Sequence, residues 1–155
     1  MHLNPDNFLT TPEGRITTPE RNAWAWQRCF EELPRALASA ARHGSKLYVL
    51  VGAQGSGKST WARDRKEQEP HCVIFDAILV KREERAPILR LASRHQVPAI
   101  AVWFQTSLSV CLARNRSRPP DEVADERGLR NVYAALEPPT EQEGLADVWR
   151  VGSDA

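Results

Sequence analysis

Nine consecutive residues, Gly52-Ala53-Gln54-Gly55-Ser56-Gly57-Lys58-Ser59-Thr60, carry the strongest chemical signal in this chain. Four residues separate Gly52 from Gly57-Lys58-Ser59, which is the Walker A spacing. Glycines let the backbone curl until successive N–H groups face one polyphosphate, and a helix starting at the end of the loop aims its positive terminus at the same anion. On this reading Gly52, Gln54, Gly55, Ser56, Gly57, Lys58, Ser59 and Thr60 cradle the nucleotide. Lys58 contacts the β- and γ-phosphates, Ser59 offers its hydroxyl to Mg²⁺, and Thr60 adds a hydrogen bond near the α-phosphate. No Asn-Lys-x-Asp string for guanine is present, so ATP is the expected nucleotide.

A carboxylate is the second requirement. Asp76 closes the apolar run Cys72-Val73-Ile74-Phe75, where it can hold Mg²⁺ through water or take a proton from an attacking hydroxyl. Arg114 and Arg118 lie one helical turn apart just before Pro119-Pro120, a placement that lets both swing from a lid onto the phosphates. A solvated basic helix end is the plainer reading of either arginine. Lys81 to Arg85 mixes charge signs as an exposed helix face does, and His2, His43, His71 and His95 are scattered without forming a triad or a metal cluster.

The elements that must position these groups follow from periodicity. Leu47 to Val51 reads as a strand leading into the glycine loop, and a helix follows it to about Glu67. Cys72–Phe75, Ala99–Phe104 and Asp147–Val151 read as further strands; helices are expected after Lys81, over Ser107–Arg116 and over Asp121–Leu136. That alternation predicts a doubly wound α/β fold with a mainly parallel sheet, and the Walker A loop after its strand makes the expected class a P-loop NTPase three-layer sandwich with helices on both faces. Upstream, residues up to about Ile16 are polar and broken by Pro5, Pro12 and Gly14. Thr18-Pro19 then starts a helix with Trp26, Phe30, Leu33 and Leu37 on its apolar face, and Pro34 is expected to kink or split it. The organisation expected is an N-terminal helical extension over 1–45, packed on a P-loop kinase-like domain over 46–155.

A chain of 155 residues with 41% hydrophobic and 26% charged residues fits one core, and a net charge of +1 gives no long-range pull toward nucleic acid or anionic lipid. Cys29, Cys72 and Cys111 are odd in number and sit in apolar stretches, as reduced, buried thiols do. The start of the chain lacks a basic segment followed by an apolar run, and Val97–Phe104 is too short to span a bilayer. A soluble cytoplasmic protein with no membrane partner is expected.

Together, Gly52–Thr60, Asp76-Ala77, Arg82–Leu91, Ala101–Phe104 and Cys111–Pro119, with the closing Leu136–Thr140 and Glu143-Gly144, resemble the polynucleotide-kinase-like kinases, AAA-type members of the P-loop kinase superfamily. The resemblance covers most of Lys46–Val151 and leaves out the N-terminal third. It implies an ATP-dependent phosphotransferase whose basic lid closes on the phosphates. Two alignments of Asp76 stand. By distance it falls where such kinases carry the general base of their second strand; by pattern, Asp76 to Pro87 lies without a gap on the third-strand segment, which makes it a Walker-B-like carboxylate. The second is preferred, with Ile78 and Leu79 where the family has threonine and asparagine.

The stretch between Glu67 and His71 is then too short for the family's base-carrying strand, so the chain is shortened between the P-loop helix and the Asp76 strand. The N-terminal helix, with Trp24, Trp26 and Phe30, is expected to fill the vacated face, and Glu13, Glu31 and Glu32 are candidates for a replacement base. The leading expectation is a kinase that moves the γ-phosphoryl of Mg-ATP to a hydroxyl, either a nucleic-acid 5′-hydroxyl or a small molecule. Lys58, Asp76, Arg114 and Arg118 would be catalytic, and Ser59 and Asp76 would support the metal. The alternative is a nucleotide-binding protein or slow ATPase that has lost its acceptor site and acts as a ligand-responsive interaction module. Acceptor and oligomeric state are left open.

Overall fold

The structure, a computed structural model, describes residues 1–152. Strand β1 (His2–Leu3) leads through a 3₁₀ turn (Pro5–Phe8) to a short hairpin of β2 (Thr10–Thr11) and β3 (Gly14–Arg15). Then come α1 (Pro19–Arg42), β4 (Leu47–Val51), α2 (Lys58–Gln68), β5 (Val73–Asp76), α3 (Arg82–Arg94) and β6 (Ala99–Phe104). Helices α4 (Leu108–Arg116) and α5 (Glu126–Ala134) and strand β7 (Asp147–Val151) complete the order.

Five strands form one sheet in the order β1-β5-β4-β6-β7, and each neighbouring pair is parallel. Alternation along the strands splits the core in two. Leu47, Val49, Val51, Val73, Phe75, Ala99 and Ala101 face α1 and α3, packing with Leu33, Leu37, Ile88 and Leu89. Tyr48, Leu50, Ile74, Ile100, Val102 and Phe104 face the other way, onto Ala62 and Trp61 of α2. Each fully buried Leu or Ile contributes about 1.5–3 kcal/mol. The expected three layers are therefore present, and β4 lies at the centre of the sheet with its loop at the carboxyl edge.

Helix α1 starts as its sequence directs: Thr18 Oγ1 accepts from the Arg21 amide at 3.1 Å, and Pro19 occupies the first turn. It runs as one helix from Pro19 to Arg42 with Pro34 inside, so the expected split does not occur. Leu33, Ala36 and Leu37 are buried on either side of the proline, and that packing outweighs the lost backbone hydrogen bond. The helix expected over Asp121–Leu136 is also shorter, with α5 starting at Glu126 behind the cap of Asp125. Buried Asn115 holds Ala124 by two hydrogen bonds of 2.8 Å, to its N–H and its carbonyl, so the residues before Asp125 form a strap over the P-loop side of the sheet.

Lys81–Glu83 is exposed, but Arg85 is fully buried, unlike the solvated face expected. Its guanidinium donates to Glu143 Oε1 (2.9 Å) and Oε2 (3.1 Å) and to the carbonyls of Leu79 (2.8 Å) and Glu137 (3.0 Å). This charge ties α3 to the segment after α5. The largest departure from expectation is at the start of the chain. β1 adds a parallel edge strand beside β5, with His2 opposite Ile74 and Leu3 opposite Phe75, while Leu3 enters the core.

Candidate functional site

The glycine loop runs from the end of β4 to the start of α2. Gly55 has φ +78°, and a Cβ there would lie 2.6 Å from the Cys111 carbonyl oxygen, so the loop is seated directly on the backbone of α4. Gly57, at φ +103°, precedes Lys58 as the N-cap of α2. With no side-chain cap there, the first amides of α2 are left for an anion. On the far side of the loop, Thr106 Oγ1 donates to Ser56 O at 2.9 Å. Two polar atoms of the loop, Ser56 Oγ and Gln54 Oε1, are buried without a hydrogen-bond partner. Unsatisfied buried groups are rare in folded proteins, and both lie at the place expected to hold phosphate.

Lys58 Nζ donates to Gly52 O (2.8 Å) and Ala77 O (3.2 Å). Burial lowers its pKa from the ordinary lysine value; the charges of Asp76 and Asp6 work against that shift. Ser59, exposed at the head of α2, donates its hydroxyl to Asp76 Oδ2 at 3.1 Å. Asp76 is 2% exposed, and the same oxygen also takes Asn4 Nδ2 at 3.2 Å and meets His2 Nε2 at 2.9 Å. Burial works to raise the Asp76 pKa, but the His2 hydrogen bond, the Lys58 ammonium and the Ser59 hydroxyl outweigh it and hold the carboxyl below its ordinary range. The group is an anion at neutral pH.

A pocket of about 620 Å³ opens over these residues. Gln54–Thr60, Asp76, Arg114 and Arg118 all line it, so the glycine loop from Gln54 onward, the carboxylate and the two arginines converge on one space. Gly52 lies at its root, through the carbonyl that Lys58 holds. Arg114 Nη1 reaches Gly55 O at 3.3 Å. Arg116 instead pairs with Glu126 at 2.5 Å, away from the loop.

The opposite wall comes from the start of the chain: Asn4, Pro5, Asp6, Leu9, Arg15, Thr17, Asn22 and Trp26. Glu13 is absent from this wall, and Glu31 and Glu32 pair with Arg28 on α1, so the three glutamates considered as replacement bases do not line the pocket. Trp26 belongs to both core and pocket, its ring 6.1 Å from that of Phe75. Asn4, Asp6 and Arg15 escaped the sequence reading, and His2, read there as one of four scattered histidines, meets Asp76, because a two-residue strand leaves no periodic signal. The one local cue was Asn4-Pro5-Asp6, in which Asn4 Oδ1 caps the turn by accepting from the Asp6 amide at 2.9 Å.

A central parallel strand, a glycine loop and the helix that the loop feeds, with an aspartate on the adjacent strand, define the fold of the P-loop NTPases. The comparisons agree. A family model described as an AAA domain matches residues 64–139, the part of the chain after the loop. Among solved structures, Kti12 of Chaetomium thermophilum, crystallised with ADP-AlF3, is similar at a TM-score of 0.57 and 14% identity, over 70% of this chain and 89% of that one. A search of curated proteins finds no match. Among the described residues, no helix is long and apolar enough to cross a membrane.

Proposed function

We propose that this protein binds Mg-ATP at the Gly52–Thr60 loop and transfers its γ-phosphoryl group to a hydroxyl acceptor. The observation that carries the reading is the convergence of Lys58, the Ser59–Asp76 pair, Arg114 and Arg118 on one pocket. The nucleotide-bound state of the Kti12 neighbour is consistent with it. The site fits the ligands by its own chemistry. Free amides, a lysine, two arginines and the orphaned Ser56 Oγ suit polyphosphate, and a hydroxyl beside an ionised carboxylate is the hard-oxygen pair that Mg²⁺ takes.

Mg²⁺, which Ser59 and Asp76 would hold, would supply charge neutralisation to the phosphates. The remaining work belongs to the chain. The loop amides orient the phosphates, Lys58 exchanges its two carbonyl contacts for phosphate oxygens, and Arg114 and Arg118 place positive charge where the transferring group becomes more anionic. Ser59 and Asp76 hold the metal, and the adjacency of Asp76 to Ser59 favours that role over general base.

A fluorescent ATP analogue titrated with and without Mg²⁺ tests the binding step. Lys58→Ala removes charge-assisted contacts worth about 1.5–3 kcal/mol, so affinity should fall roughly 10- to 150-fold. Asp76→Asn should weaken the Mg²⁺-dependent part alone. Equal affinity in wild type and Lys58→Ala would contradict the proposal.

A further inference from the structure

We infer that the first 26 residues rebuild an acceptor site on this loop, with the Asp6 carboxylate as general base for a small hydroxyl compound. The inference rests on the phosphotransferase reading above and extends it to the second substrate.

Five acidic residues line the pocket: Asp6, Asp76, Asp121, Glu122 and Asp125. Four of them are already employed. Asp76 holds Ser59, Asn4 and His2; Asp121 Oδ2 accepts from the Arg15 amide at 2.6 Å. Glu122 Oε1 takes Arg15 Nη2 at 2.7 Å, and Asp125 Oδ2 caps α5 through the Gly128 amide at 3.2 Å. Asp6 is the most lightly held, by one long contact of 3.5 Å from Oδ2 to Arg15 Nη1, with its side chain 48% exposed. Its negative charge reaches Lys58, the residue assigned to the β- and γ-phosphates. The turn that presents it is fixed by Asn4 and by β1 pairing with β5. A carboxylate held at a fixed place and free to take a proton is what base catalysis needs.

The surrounding wall selects the acceptor. Leu9, Trp26 and Ile78 give apolar contact, Thr17 and Asn22 give hydrogen bonds, and Arg15 Nε is buried there without a partner. Arg15 also joins the hairpin to the strap through Asp121 and Glu122, closing one side of the pocket. A pocket of about 620 Å³ shared with nucleotide phosphates suits a small molecule, and the carboxylates on the acceptor side work against a phosphodiester chain. In the step assigned here, the acceptor oxygen bonds to the γ-phosphorus as the bond to the β,γ-bridging oxygen breaks. ADP leaves with that electron pair, and the hydroxyl proton passes to Asp6 and then to solvent.

The test follows label from γ-labelled Mg-ATP in the full chain, with water and glycerol as small acceptors and a 5′-hydroxyl oligonucleotide beside them. Affinity for the fluorescent ATP analogue is measured in parallel. Asp6→Asn, which keeps the shape of the side chain, should lower transfer to water and glycerol about 100-fold or more while leaving nucleotide affinity within about twofold. The oligonucleotide should stay unlabelled. Transfer by Asp6→Asn within about threefold of wild type overturns the base assignment. So does an equal loss of affinity and transfer, or a wild type that binds nucleotide and transfers nothing. A labelled oligonucleotide overturns the small acceptor. A wild type that fails to bind the analogue overturns the phosphotransferase reading and this inference with it, and the binding arm shows which of the two has failed.

Discussion

Replacing His2 by alanine tests whether the start of the chain belongs to the site. In the folded protein His2 Nε2 lies 2.9 Å from Asp76 Oδ2, Asn4 Nδ2 adds a second contact at 3.2 Å, and the carboxylate is 2% exposed. A hydrogen bond to a buried charged group is worth about 1.5–3 kcal/mol, so His2→Ala should lower stability by that amount. For a chain of this size each kcal/mol moves Tm by about 2–4 °C, which places the expected drop at roughly 3–12 °C. The pH dependence has a definite sign. Asp76 is held below its ordinary range, so its contribution is fully present above the unfolded value of about 3.9 and is lost as pH falls through the lower folded value. His2→Ala should therefore move acid unfolding to higher pH. The assay is thermal and urea unfolding in metal-free buffer between about pH 3 and about pH 8, for His2→Ala, Asp76→Asn and the double variant. If His2→Ala lowers stability by less than about 0.5 kcal/mol, or by as much in the Asp76→Asn background as in wild type, the contact does not act as described.

Three further outcomes follow from the packing. Gly55→Ala should lose ATP-analogue affinity and about 1–2 kcal/mol of stability, because its φ of +78° is left-handed and the new Cβ would press on the Cys111 carbonyl; an unchanged affinity would show that the loop does not need this seat. Arg85→Met strands the mostly buried Glu143 and should lower urea stability by about 3–5 kcal/mol, and a loss under about 1 kcal/mol would contradict the ion-pair account. Burial, with the Asp6 charge adding to it, pushes the Cys29 thiol up to about 11, and Cys72 and Cys111 are buried too. A thiol reagent at mildly alkaline pH should thus label none of the three in the folded protein and all three in guanidinium; rapid labelling of the folded chain would contradict that burial.

How much was legible depended on the length of each signal. Leu47–Val51 and Ala99–Phe104 announced themselves as strands, since buried parallel strands are short apolar runs between helices, and Asp147–Val151, a partly exposed edge strand, showed Val148 and Trp149 between charged residues. The glycine loop was legible because its chemistry fixes its spacing. Asp76 was found, but its neighbours settle only in three dimensions: β5 lies directly against β4, which brings Asp76 to Ser59. The N-terminal wall was illegible for the opposite reason. A two-residue strand carries no period, and His2, Asn4 and Asp6 acquire their partners through the register of β1 on β5. Arg85 looked like one charge among several; only the fold reveals that Glu143, 58 residues later, comes to meet it. Tertiary packing likewise kept α1 continuous through Pro34 where local propensity argued for a break.

The central claim, that the Gly52–Thr60 loop drives phosphoryl transfer, is tested most directly by measuring loss of γ-label from Mg-ATP in the wild-type chain, with Lys58→Ala as the comparison. The account predicts Mg²⁺-dependent loss of label from ATP, abolished in Lys58→Ala. Label that stays in ATP while the wild-type protein binds the nucleotide would contradict it and leave ATP as a ligand only.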